Sequence, residues 1–140
     1  MTAPSIRVTD APAADALERI GTSLTAFNES DVGPSNRRVL AVLVEGGGEL
    51  IAGLSGYTAW GWLYVQWLWI AADHRGQGLA SRMLAAAEAE ARVRGCHGAY
   101  IDTFNPQALH VYQKAGYAVF GTLPDFPPGR TRSFLSKTLT

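Results

Sequence analysis

A single cysteine, Cys96, stands in the whole chain, so no disulfide can close within it, and a reducing compartment is expected. Net charge is also missing: 12 Lys and Arg balance 12 Asp and Glu. A basic excess is the usual footprint of a nucleic-acid binder, so that partner class is disfavoured. No apolar run is long enough to span a bilayer, because the richest stretch, Trp60 to Ile70, is short and contains Gly61 and Gln66. A charged segment leading into an apolar one, the mark of a secretory leader, is absent. His74, His97 and His110 are scattered, which argues against a metal site. Internal repeats and low-complexity linkers are lacking too.

What is present is enough for one packed core. The 140 residues are 47% hydrophobic, as expected of a single soluble, cytoplasmic domain spanning 1–140. Ile6 to Thr9 reads as a short strand. Thr9 and Asp10 before Pro12 mark a helix start, and Leu17, Ile20, Leu24 and Phe27 recur at helical spacing. Val39 to Val44 is an unbroken apolar run, as in a strand covered on both faces. Gly46-Gly47-Gly48 turns it into a second arm, Leu50 to Trp60. In Leu63 to Ile70 alternation places Leu63, Val65, Trp67 and Trp69 on one face and Tyr64, Gln66, Leu68 and Ile70 on the other. Gly78 to Arg94 is a helix of good formers closed by Gly95. Ala99 to Phe104 is a strand, and Asn105 caps a helix that begins with Pro106 and stops at Gly116. Tyr117 to Leu123 and Thr131 to Leu139 form a last strand pair. The order β-α-β-β-β-α-β-α-β-β implies an α/β fold (three-layer α+β) with a mixed, mostly antiparallel sheet.

One junction carries chemistry. From Ile70 to Ser81 a strand enters a turn with Gly76 and Gly78 and passes directly into a long helix. Such a turn presents backbone N–H groups that no helical carbonyl can accept, and the helix dipole adds positive potential. The pair suits a phosphate or pyrophosphate. Arg75 and Arg82 add charge beside it, and Ser81 a hydroxyl. A P-loop is excluded because Gly-x4-Gly-Lys-Ser/Thr does not occur. Gly76-x-Gly78 lacks the third glycine of a dinucleotide fingerprint, since Ser81 stands there.

Arg75-x-x-Gly78-x-Ala80 resembles the Gln/Arg-x-x-Gly-x-Gly/Ala signature of the GNAT superfamily of N-acetyltransferases. The segment from Asn105 through Ala108 and Tyr112 to Gly116-Tyr117 is similar to that family's second motif. The element order agrees from about Ile6 to Leu139. The resemblance implies an acetyl-CoA cleft between splayed central strands. The pantetheine arm would bond to backbone around Leu68, Trp69 and Ile70, and the pyrophosphate would rest on the N–H groups of Arg75, Gly76, Gln77, Gly78, Leu79 and Ala80, with Ser81 beside them. It implies further that an amine attacks the thioester directly, that Tyr112 is the general acid, that an N–H near Leu68 or Trp69 faces the oxyanion, and that Asn105 contacts the pantetheine. Relatives often carry a carboxylate where Gln66 stands. An amide cannot accept a proton at neutral pH. The base is therefore a water chain positioned by Gln66, a carboxylate such as Glu29 or Asp31, or His110.

The acceptor is expected to be an amine of a small molecule or peptide, with no metal, nucleic acid or membrane involved, and family habit suggests a homodimer through exposed β hairpins. The alternative is a module that binds acetyl-CoA without catalysis. Trp60, Trp62, Trp67 and Trp69 are expected to be mostly core, with one or two facing the acceptor beside Asp125, Phe126 and Arg130. Glu88, Glu90, Arg92 and Arg94 are expected to form an exposed helix face, and Cys96 to be a bystander.

Overall fold

The computed structural model describes residues 2–140. They form two compact units, one ending at Ser35 and the other running from Asn36 to Thr140.

The first unit contains one helix, α1 (Ala14–Val32). The Thr9 hydroxyl accepts from the Ala11 N–H at 3.0 Å, but the carbonyl that opens the helix is that of Ala13, to which Ala16 and Leu17 donate. The helix thus begins later than the Thr9–Asp10 cap predicts. Leu17, Ile20, Leu24 and Phe27 share a face, as their spacing requires. Gly33 ends the helix at φ 92°, its N–H donating to the Glu29 carbonyl. Ile6 to Thr9, expected as a strand, forms none. A strand persists only where a neighbour takes up its backbone hydrogen bonds, and the sheet contains no partner for these residues.

The second unit is an open six-stranded sheet, β1 (Arg38–Gly46), β2 (Glu49–Ala59), β3 (Trp62–Ile70), β4 (Gly98–Thr103), β5 (Ala118–Pro124) and β6 (Thr131–Thr138), in the order β1-β2-β3-β4-β6-β5. Every neighbouring pair is antiparallel except β3 with β4. Between β3 and β4 runs α2 (Leu79–Val93), and between β4 and β5 runs α3 (Pro106–Lys114). Both helices join one core with Leu40, Leu54, Leu63, Val65, Ile101 and Leu135. Within this unit the helices cover one face of β1, which corrects the reading of that strand: Leu40 is buried, whereas Val39, Ala41 and Leu43 on the opposite face are exposed.

The face assignment of β3 also changes part-way along. Its register with β2 runs Gly56↔Val65 and then Ser55↔Trp67, so Gln66 is the extra residue of a β-bulge. Beyond it the alternation inverts. Leu68 and Ile70 join Leu63 and Val65 against the core, while Gln66, Trp67 and Trp69 are exposed. Gly56 permits the bulge, because a Cβ there would lie 1.8 Å from the Tyr64 carbonyl oxygen. None of the four tryptophans is buried, contrary to expectation. Trp62 instead lies over Gly98, where an added Cβ would come within 2.5 Å of the ring.

The charged stretch of α2 is not one exposed face either. Glu88 is buried, accepting from Lys137 Nζ at 2.7 Å and from the Tyr117 hydroxyl at 2.9 Å. Lys137 also donates to the Ala115 carbonyl, which ties α2, the end of α3 and β6 together. Arg94 donates to the Arg38 and Val39 carbonyls and to Thr58 Oγ1. A helix period places these side chains but cannot reveal partners dozens of residues away.

Candidate active site

The site begins where a seam ends. β3 and β4 pair in parallel at four positions, Trp62↔Gly98, Leu63↔Ala99, Tyr64↔Tyr100 and Val65↔Ile101, and no further. From Trp67 to Ile70 β3 remains bonded to β2 on one edge, while from Gln66 onward its other edge has no strand partner among the described residues. A mid-sheet strand whose backbone groups lack a ladder offers them to a ligand. Leu68, Trp69 and Ile70 lie along this opening.

β3 leads from the opening into a single 3₁₀ turn at Ala72–His74, then Arg75 to Gly78, then α2. Ala71 N–H still bonds the Ile51 carbonyl at 2.8 Å, so the sheet holds the start of this loop. Arg75 Nε donates to the Ile70 carbonyl at 3.0 Å and ties the loop back to the strand end. Gly76 and Gly78 have φ of 74° and 76°, a backbone region that side chains disfavour. A Cβ built at either would meet no atom within 4 Å, so the space above both is open. The first backbone N–H to find its acceptor at the helix start is that of Arg82, donating to Gly78 O, which leaves Leu79, Ala80 and Ser81 with donors the helix does not use. Arg75, Gln77, Ser81 and Arg82 are exposed around this end. The turn read from the sequence is thus present, with two left-handed glycines, open space above them and unused donors at the start of α2.

On the other side of the opening, β4 runs into α3. Asn105 Oδ1 accepts from the Gln107 and Ala108 N–H groups at 2.8 and 3.1 Å, a complete N-cap ahead of Pro106. This fixes the helix that carries Tyr112 into the core. Burial, with the Asp102 carboxylate as the second cause, pushes the Tyr112 phenol up to about 12. The residue keeps its proton at neutral pH, and no side chain among the described residues hydrogen-bonds its hydroxyl. Neighbouring Tyr117 is pushed up as well, by burial first and by Glu88 next, and is consumed in the Glu88–Lys137 cluster.

A second group at the opening was not singled out in the sequence. Asp102 Oδ1 accepts from Arg132 Nε and NH2 at 3.1 and 2.8 Å, and Oδ2 accepts from the Tyr64 hydroxyl at 3.1 Å. Tyr64 stacks on Tyr100 with ring centroids 4.6 Å apart, and Tyr57 meets its edge at 5.6 Å. The alternation of β4, with Ala99 and Ile101 buried and Tyr100 and Asp102 between and after them, was the available signal. Of the other candidate bases, His110 is exposed on α3, and Glu29 and Asp31 belong to α1.

Comparison with known proteins agrees with this architecture. The sequence profile of the Acetyltransferase (GNAT) family matches residues 10–117. An acetyltransferase of Agrobacterium fabrum is 42% identical over 131 residues, covering 93% of this chain and 96% of that protein. The blasticidin-S acetyltransferase of Streptomyces morookaense is 47% identical over 93 residues, 66% of this chain and 68% of the relative. A crystal structure of a protein from Agrobacterium tumefaciens superposes with a TM-score of 0.91 at 40% identity, covering 96% of this chain and 99% of the other.

Proposed function

The chain belongs to the GNAT acetyltransferase family, and from that premise we propose that it is an acetyl-CoA-dependent N-acetyltransferase, one domain over residues 1–140, acting on a primary amine. The observation that carries this reading is the seam that opens after Val65 and Ile101 and leads into the Gly76–Gly78 turn at the start of α2. The residues present fit the co-substrate. Open space lies above both glycines, unused donors stand at Leu79 to Ser81, and Leu68, Trp69 and Ile70 line the unpaired edge.

Bound there, acetyl-CoA supplies a thioester that an amine can attack directly. Tyr112, protonated at neutral pH, gives its proton to the departing sulfur. A backbone N–H near Leu68 or Trp69 stabilises charge developing on the carbonyl oxygen. Gln66, exposed on the bulge at the rim of the opening, positions a water that takes the amine's proton. Asn105 holds α3 in place and borders the pantetheine arm. A relative named for blasticidin-S favours a small-molecule acceptor over a peptide. A homodimer is part of the same reading.

Thermal unfolding with acetyl-CoA, CoA, ATP and NAD in parallel tests the cofactor assignment. A ligand bound only by the folded state adds about 2.7 kcal/mol at a hundredfold excess over Kd. Stabilisation by acetyl-CoA and CoA alone is the expected result. No shift with either, in a folded sample at saturating ligand, removes the assignment.

A further inference from the structure

The proton taken from the amine needs a final acceptor, and a glutamine-held water is only a conduit. We propose that Asp102 is that acceptor, reached through the water beside Gln66 and held in place by Tyr64 and Arg132. The proposal rests on the acetyltransferase reading above.

Position is the first argument. The parallel register stops at Val65↔Ile101, so the next residue on each strand is Gln66 on one side and Asp102 on the other. They flank the mouth of the opening. The other carboxylates of the Asn36–Thr140 unit are placed differently. Glu88 is buried against Lys137 and Tyr117, and Glu90 lies on α2 near Arg94. Glu45 and Glu49 flank the β1–β2 turn, Asp73 lies in the 3₁₀ turn, and Asp125 in the β5–β6 loop.

Restraint is the second argument. Hydrogen bonds from β3 and β6 fix the Asp102 carboxylate: Tyr64 donates to one oxygen, and two Arg132 nitrogens donate to the other. A carboxylate offers about four acceptor positions, so one is left for a water or an amine hydrogen. Arg132 is steadied in turn over the Phe126 and Phe134 rings, at 4.7 and 5.2 Å from their centroids. The titratable and charged groups around Asp102 are therefore Tyr64 of β3, Arg132 of β6, Tyr100 of its own strand and, through its field, Tyr112 of α3.

The step balances. The amine nitrogen forms the C–N bond as the C–S bond breaks. The electron pair of the broken bond leaves on sulfur, which receives the Tyr112 proton. The proton lost by nitrogen crosses the Gln66 water to Asp102, and exchange with solvent restores both residues.

The test uses Asp102→Asn and Asp102→Glu in the full chain, with blasticidin S and a panel of small primary amines as acceptors. Asp102→Asn is expected to lower turnover about 10²- to 10⁴-fold, the usual share of general acid–base catalysis, with the stabilisation by acetyl-CoA kept. Its deficit should narrow as pH rises and the amine loses its proton to solvent unaided. Asp102→Glu, which keeps a carboxylate, should recover part of the rate. A readout independent of turnover is the ultraviolet titration of tyrosines without ligand, with Tyr112→Phe assigning the Tyr112 step. Tyr112 should ionise at lower pH in Asp102→Asn than in the wild type. Wild-type turnover in Asp102→Asn overturns the proposal, and so does equal loss in both variants accompanied by loss of the acetyl-CoA shift, which is a packing role. A wild type that neither binds acetyl-CoA nor acetylates any amine overturns the acetyltransferase reading itself, and the assignment with it.

Discussion

The two edges of β3 make opposite use of one strand. Toward β2 it pairs at eight positions from Trp62 to Ile70, interrupted only at the Gln66 bulge, whereas toward β4 it pairs at four and stops. The first edge is scaffold, and the second is the one left open for the proposed co-substrate. The β3–β4 pairing ends next to the bulge, where β3 gains one residue that the β2 ladder steps over, and a bulge of this kind sharpens the local twist. A strand edge can thus be left open in mid-sheet while the strand stays anchored by its other edge on either side of the bulge.

Three substitutions test that contrast, beginning with the scaffold. Gly56→Ala places a methyl where the Tyr64 carbonyl stands, and backbone cannot turn aside as a side chain can. We expect a loss of about 3 kcal/mol or more, the upper end of overpacking costs, read by urea unfolding. A loss close to zero would mean that the bulge does not depend on Gly56.

On the open side, Tyr112→Phe should lower acetyl transfer about 10²-fold or more with acetyl-CoA stabilisation kept, since only the phenol proton is removed. It also has a pH signature. Tyr112 is raised from 10.0 to about 12 in the folded chain, so its contribution to stability is fully present below pH 10. Between pH 10 and about 12 the unfolded chain releases that proton first, and stability falls as pH rises. The Phe variant should lack this part of the alkaline loss in unfolding measured across that range.

The smallest effect belongs to the hinge between strand and helix. Asn105→Ala removes the acceptor for two N–H groups at the start of α3 and should cost about 1 kcal/mol. If turnover falls further than this stability change explains, Asn105 also touches the pantetheine arm. Unchanged turnover confines it to capping.

How much could be read beforehand follows the range of the forces involved. The Gly76–Gly78 turn, the Asn105 cap with Pro106 and the Gly95 helix end were legible, because each is a local contract between a residue and its own backbone. The faces of Leu68 and Trp69 were not. The shift that inverts them is permitted by Gly56 on another strand. Glu88 looked like one more charge on an exposed helix, and its partners Tyr117 and Lys137 come from beyond the next helix. Asp102 escaped notice for the same reason, since Tyr64 and Arg132 lie 38 and 30 residues away. The strand proposed for Ile6 to Thr9 failed because local pattern cannot supply a ladder partner.

Trp62, lying over Gly98 at the closed end of the seam, has a mechanical meaning. The two strands meet like tongs joined at one end, with Gln66 to Ile70 as a jaw that β2 holds from behind. That jaw is five residues long, roughly 17 Å at strand rise. The ring and the glycine set how closely the strands meet at the closed end, so they help fix the gauge of a slot that they lie outside.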